Sequence, residues 1–337
     1  MSALELRDVV VDYERRGGGS VRAVAGASLS IGRGRIVGLV GESGCGKSSL
    51  ARAAVGLVRL TGGTVVFEGR EVPLLGRGAR PRELVRLQLV FQNPYASLNP
   101  RRRIGAQLTD GIDAPGGAPP GPDRALRARE LCELVGLPPA SVDRFPHEFS
   151  GGERQRIAIA RALAAEPSVL VLDEPFASLD ASAQAQLANL LAQLAGELGL
   201  SLLVISHDLA IVRHVADEVA VMYLGTIVES ASTQAVWDLP LHPYSEALIR
   251  AVPQPDGRGL MPEALAGEVP DPFRRPSGCA FQPRCPYAFD RCREESPPLV
   301  TLVEGRAAAC WLQAAGATPQ PPGVKARSRP STSASPV

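Results

Sequence analysis

The sequence predicts an α/β fold built on a parallel sheet, with an antiparallel β subdomain, a helical insertion and a Cys-rich C-terminal extension. Three observations predict it. Ile36-Val37-Gly38-Leu39-Val40, Val169-Leu170-Val171-Leu172 and Leu202-Leu203-Val204-Ile205 are apolar without alternation, the pattern of strands buried on both faces. Each is bounded by a helical pattern, over Ser48 to Leu57, Glu153 to Ala165 and Ala181 to Leu198, and strands that alternate with helices form βαβ units. The first run also leads into a glycine-rich turn that opens a helix, the place where α/β sheets bind ligands.

Taken in order, residues 3 to 11 and 21 to 31 read as strands around a turn at Gly17-Gly18-Gly19, an antiparallel pair. Residues 93 to 150 read as a helical insertion, with Leu126, Leu131 and Leu134 recurring along Arg124 to Val135. Inside it, Gly111 to Asp123 holds eight Gly or Pro in thirteen residues and reads as a loop. After about residue 236 the βαβ rhythm stops and a Pro- and Cys-rich stretch begins. From 315 the chain is Pro, Ser, Thr and Ala without pattern, which predicts a disordered tail. The expected organisation is therefore a core over 1–235, an extension over 236–314 and a tail over 315–337.

The 337 residues allow about two domains. Net charge +1 argues against bulk nucleic-acid binding, and no apolar run approaches the roughly 18 residues that span a bilayer. Met1 to Tyr13 lacks the basic and apolar regions of a signal peptide, so a cytosolic chain is expected. Two oddities remain. Of 36 basic residues only Lys47 and Lys325 are lysines, and of six cysteines four (Cys279, Cys285, Cys292, Cys310) share one C-terminal stretch.

Gly41-Glu-Ser43-Gly44-Cys45-Gly46-Lys47-Ser48 fits G-x-x-x-x-G-K-[ST], with Ser49 following. Glycines are needed there because backbone N–H groups must turn in on phosphates, and the helix N-terminus adds a positive dipole end. Lys47 would lie along the β/γ-phosphates of ATP and the Ser48 hydroxyl would ligate Mg²⁺. Asp173-Glu174, an acidic pair at the end of a buried strand, is costly unless it serves charge. Asp173 would hold Mg²⁺ and Glu174 would act as general base toward water. In Ser150-Gly151-Gly152-Glu153, Ser150 reads as an N-cap and the glycines expose N–H groups, a second anion site.

These three motifs, with Ser150 to Glu153 lying between the other two along the chain, resemble those of ABC transporter ATPase subunits, over about residues 3 to 235. The resemblance supplies a reason for the second anion site, since in that family two ATPase domains pair head to tail and the signature of one closes on the ATP of the other. It implies that Tyr13 stacks on adenine, that Gln92 senses Mg²⁺ and the attacking water, that Asp180 belongs to the D-loop and that His207 is the switch histidine. Glu153 departs from the glutamine common in the family. Phe91-Gln-Asn-Pro-Tyr-Ala-Ser-Leu-Asn-Pro100-Arg101, His242-Pro-Tyr-Ser-Glu-Ala-Leu-Ile249 and Gly267 to Pro286 resemble the oligopeptide/dipeptide importer branch, which also includes nickel and other solute importers. That likeness implies an ATP-hydrolysing translocase subunit peripheral on the cytoplasmic face of the cell membrane. Its implied partners are two multi-span permease subunits, a second ABC ATPase (a paralogue favoured over a homodimer) and an extracytoplasmic solute-binding protein, with no nucleic acid. A soluble ABC-type ATPase acting on nucleic acid or ribosomes is the competing reading.

The cysteine spacing lacks the C-x₂-C knuckles usual for structural zinc, and disulfides are disfavoured in a cytosolic chain. Pro286 after Cys285 and the irregular spacing suit a [4Fe–4S] cluster better, which some importer ATPases of this kind are thought to carry. Zn²⁺ and reduced buried thiols stay open as alternatives.

Overall fold

A computed structural model describes residues 2–14, 18–76, 80–112, 124–253, 265–302 (apart from 266, 272 and 274) and 305–314. Gly17, most of the Gly/Pro-rich loop and the expected tail lie outside them. The chain begins with β1 (Ser2–Glu14) and β2 (Ser20–Gly32), then β3 (Ile36–Val40), α1 (Lys47–Ala54), β4 (Gly62–Phe67) and β5 (Arg70–Glu71). The middle of the chain carries β6 (Leu87–Val90), α2 (Pro94–Ser97), α3 (Ile104–Ile112), α4 (Arg124–Leu134) and α5 (Gly151–Leu163). Next come β7 (Val169–Asp173), α6 (Ala181–Leu198), β8 (Ser201–Ser206), α7 (Leu209–Val215), β9 (Glu218–Tyr223) and β10 (Thr226–Ser232). α8 (Thr233–Asp238) runs across the expected boundary at 235/236, and the extension adds α9 (Pro243–Arg250), α10 (Asp290–Glu294), β11 (Val300–Thr301) and β12 (Ala307–Ala308).

The strands form two sheets. β2-β1-β4-β5 is antiparallel, and the larger sheet runs β11-β12-β10-β9-β3-β8-β7-β6. Its stretch from β9 to β6 is parallel. The unbroken apolar runs have a direct cause: the large sheet is packed on both faces. Val37, Leu39, Val169, Val171, Leu203 and Ile205 face a core shared with α1 and the antiparallel sheet. Their neighbours Ile36, Val40, Leu170, Leu172, Leu202 and Val204 face a second core shared with α5, α6 and α7. Every residue of β3, β7 and β8 is buried.

The α1 helix stops at Ala54, short of the expected Leu57, because Gly56 takes φ 75 and the chain turns back. Gly111 and Ile112 still belong to α3, so the loop begins later than its composition suggests. The extension is not a separate body. Its β12 pairs with β10 on the edge of the large sheet, and Phe281 lies in the second core. Glu229 of β10, fully buried, accepts from the N–H groups of Leu241 and His242 (both 2.9 Å), and so fixes the chain just before α9. Among the described residues no helix is long and apolar enough to cross a membrane.

Candidate functional site

Parallel strands deliver their C-terminal ends to one edge, and the adjacent order β3-β8-β7-β6 sets four loops side by side there. The loop after β3 is the glycine turn. Gly41, Gly44 and Gly46 take φ of 155, 79 and 106, and a Cβ on Gly46 would stand 2.2 Å from the Ala23 carbonyl oxygen. Only glycine fits that backbone. Gly46 is the residue before α1, so the first amides of the helix, which have no partner within it, face the loop. Ser43 and Gly44 form the exposed lip, Cys45 packs inward, and Ser48 and Ser49 are half-buried.

Lys47 is only 5% exposed. Its Nζ donates to the carbonyls of Gly41 (2.7 Å) and Glu42 (3.0 Å) and lies 3.9 Å from Glu174 Oε1. A buried ammonium satisfied by carbonyl oxygens can turn toward phosphate oxygens without crossing solvent. The Ser48 hydroxyl donates to Asp173 Oδ1 at 2.8 Å. Burial pushes the Asp173 carboxyl up from its ordinary value, with Ser48, Arg52 and Lys47 pulling the other way. A hydroxyl beside a desolvated carboxylate is the oxygen donor set that Mg²⁺ takes, so these residues fit that ion.

Glu174 has left-handed backbone, φ 51, held by its N–H donating to Ile205 O at 3.0 Å. Such strain persists where the surroundings over-determine it, and here it turns the carboxylate from the β7 end toward the loop after β8. There His207 Nδ1 stands 2.8 Å from Glu174 Oε2, with the imidazole largely exposed. Gln92 is exposed two residues beyond β6, whose Val90 pairs with Leu172 of β7. Lys47, Ser48, Asp173, Glu174 and His207 thus form one connected group, with Gln92 on the neighbouring strand end.

Tyr13, Ser150, Gly151, Gly152 and Asp180 lie apart from that group. Tyr13 is on β1, opposite Val21, with its ring partly exposed. Ser150 caps α5: its Oγ accepts from the Glu153 N–H (3.3 Å), and the Glu153 carboxylate accepts from the Ser150 N–H (2.7 Å). This reciprocal capping box gives Glu153 a local role in place of glutamine, and the Ser150 bonds hold its carboxyl below the usual glutamate range. The nearest heavy atoms to a Cβ on Gly152 belong to Ala183 and Leu179, and a Cβ on Gly151 would meet nothing within 4 Å. Asp180 is the N-cap of α6, accepting from the Ala183 N–H at 2.8 Å.

The ABC transporter family model matches residues 24–177, and that for the oligopeptide/dipeptide transporter C-terminal region matches 228–292. A Brucella abortus (strain 2308) protein named for peptide import and ATP binding is 49% identical over 309 residues, 91% of this chain and 92% of its own. The chain belongs to the ABC transporter ATPases. A Sinorhizobium fredii relative, named as a peptide ABC transporter ATP-binding protein, is 48% identical over 88% of this chain and 84% of its own. A dimeric ATP-binding cassette solved with ADP and Pi superposes with TM-score 0.60 at 27% identity, covering 68% of this chain and 98% of that one. The cbiO1 subunit of Clostridium perfringens, part of the cbiONQ ABC transporter complex, gives 0.60 at 25%, covering 70% and 91%. This ABC ATPase is accordingly an ATP hydrolase with the cassette fold.

The extension of the ABC ATPase gathers Cys279, Cys285, Cys292 and Cys310 around one small pocket, lined also by His242, Phe281 and Trp311. Burial pushes the Cys285 thiol up to about 12 and that of Cys310 to about 11, and raises Cys279 as well. Burial also depresses His242 to about 3, so its imidazole is neutral, with Nδ1 accepting from the Tyr244 N–H at 3.0 Å. Among the described residues no three His, Cys, Asp or Glu side chains converge on a single ion position.

Two contacts at the P-loop were not legible in the motifs. The Tyr244 hydroxyl accepts from the Glu42 N–H at 2.8 Å, and Arg284 grips the Glu42 carboxylate. Both residues lie inside stretches that resemble the importer branch, but only their three-dimensional position ties them to the glycine turn.

Proposed function

We propose that this chain is the ATPase subunit of a peptide importer, working on the cytoplasmic face of the membrane as a peripheral partner of two multi-span permease subunits. The observation that carries this is a likeness spanning both the ATPase core and the extension, 91% of the chain, with a protein named for peptide import. The exposed aromatics beside Gln92 support a docking role for that loop: Phe91 is 37% exposed and Tyr95, under the Arg154 guanidinium, 61%. A second ABC ATPase, a paralogue, completes the pair, and an extracytoplasmic binding protein delivers the solute.

In this reading the P-loop amides and Lys47 hold the ATP phosphates. Ser48 and Asp173, with Gln92 on the neighbouring strand end, would hold Mg²⁺, which would neutralise phosphate charge. Glu174 takes the proton from the attacking water, and His207, hydrogen-bonded to its Oε2, fixes the carboxylate's orientation. Tyr13 stacks on the base. Ser150, Gly151, Gly152 and Asp180 face the partner's nucleotide. ATP favours the closed pair because only that state joins both halves of each site, and loss of the γ-phosphate releases it.

We also assign a [4Fe–4S] cluster to the four cysteines. A cluster takes one thiolate on each of four separate irons, and what supports it is that all four cysteines line one small pocket. A brown anaerobic preparation with about four irons per chain is expected, and a colourless, iron-free one overturns the assignment. The transport reading is tested by purifying the tagged chain from membranes. Copurified multi-span subunits and a binding protein loaded with peptide support it, whereas ribosomes, nucleic acid or a metal-loaded binding protein overturn it.

A further inference from the structure

Glu42, the first variable position of the P-loop, is held at three points. Its carbonyl accepts from Lys47 Nζ, inside the loop. The other two holds come from more than 200 residues away. The Tyr244 hydroxyl accepts its N–H, and Arg284 binds its carboxylate with both terminal nitrogens, at 2.7 and 3.1 Å. The Arg284 side chain is 3% exposed, and its guanidinium lies 5.9 Å from the ring centres of Tyr223 and Phe281. Those two rings and that of Tyr244 pack at 4.6 to 5.4 Å, a rigid wall behind the guanidinium. The stem is confined as well, because a Cβ on Gly267 would stand 3.3 Å from Arg284 Cγ. This is a built socket for one carboxylate.

A carboxylate in a phosphate-binding loop opposes the loop's task. Unpaired, Glu42 would repel the anionic ligand and compete for Lys47. With a bidentate guanidinium in a largely desolvated setting, its charge is cancelled and its direction fixed. We infer that Arg284, supplied by the C-terminal extension, is a positioning residue of the nucleotide site that neutralises Glu42 and sets the first turn of the P-loop. The inference rests on the reading of that loop as the ATP site. It gives the extension a part in nucleotide binding, separate from any metal it carries.

The test is a thermodynamic cycle on the full-length chain, with trinitrophenyl-ATP as fluorescent probe and ATP as competitor. Removing one partner of a largely buried ion pair strands the other charge, so Arg284→Met should weaken ATP binding about tenfold, and Arg284→Lys about threefold or less. In a Glu42→Gln background the same Arg284→Met change should cost less than about twofold, because no stranded charge is left. A purely structural role for Arg284 predicts equal losses in both backgrounds. That result, or unchanged affinity in a folded Arg284→Met chain, overturns the inference. Should Arg284→Met fail to fold, the comparison of Arg284→Lys with and without Glu42→Gln carries the same sign test. A wild-type chain that does not bind ATP fails the nucleotide reading instead, and is seen before any variant is compared.

Discussion

Two glycine-bearing turns open two helices in this molecule, and they are built differently. At the start of α1 the glycines have positive φ, the lysine is buried and two carboxylates stand within reach. At the start of α5 the helix begins on a serine cap, a Cβ on Gly151 would meet nothing within 4 Å, and the Glu153 carboxylate is spent on the capping box. The first turn is a cradle with its own buried cation and two carboxylates. The second offers donors and no chemistry, so it is half of a site. Under the proposed function a second ATPase supplies the matching half, and the solved cassette it resembles is dimeric.

The largest effect that separates the two turns is expected from Glu174→Gln. Losing a positioned general base costs about 10²- to 10⁴-fold in turnover. ATP binding should hold, because Lys47 and the P-loop amides are untouched and a negative charge 3.9 Å from Lys47 is removed. Single-turnover hydrolysis together with equilibrium ATP binding checks both parts. Hydrolysis within threefold of wild type would take Glu174 out of the role.

A smaller effect contrasts the glycines themselves. Gly46→Ala puts a methyl 2.2 Å from the Ala23 carbonyl oxygen at φ 106, so the loop must deform, at a cost of about 1–3 kcal/mol, and lose ATP affinity. Gly151→Ala meets nothing and sits in helical backbone, so the chain should keep its melting temperature or gain about 0.4–1 kcal/mol. ATP binding by the isolated chain should also be unchanged. Turnover by the closed pair should fall, because the new methyl covers the donors that meet the partner's phosphate. Equal effects of the two substitutions on ATP binding would erase the distinction.

The parts that were legible in the sequence share a physical reason. Strands β3, β7 and β8 are sandwiched between two cores, which leaves an unbroken apolar run, and the P-loop needs glycines at fixed offsets. Strand β10 is hidden because Glu229 interrupts its apolar run, and that acid is tolerated because it accepts two backbone N–H groups from a later segment and lies 3.5 Å from the Arg306 guanidinium. Strands β11 and β12 are two residues each, too short to show a period. The Glu42 to Arg284 contact spans 242 positions, and no local pattern marks a partner so far along the chain. Glu153 stood out as a departure from a family pattern, although Ser-x-x-Glu is itself a local helix-start signal.

The smallest effect is expected at that residue. A glutamate whose carboxyl is held low by the Ser150 bonds stabilises the fold above the ordinary glutamate pKa of about 4.3, and the contribution is lost as pH falls through its lowered value. Glutamine also serves in a capping box but does not titrate there. Glu153→Gln should therefore cost less than about 1 kcal/mol at pH 7 and nothing in ATP affinity, since Glu153 lies on the half-site and away from the P-loop. The difference in stability between the two chains should shrink as pH falls below about 4.3, as wild type loses its carboxylate. If the variant instead lost turnover as heavily as Gly151→Ala at unchanged stability, Glu153 would act on the partner's nucleotide, and the second turn would carry chemistry of its own.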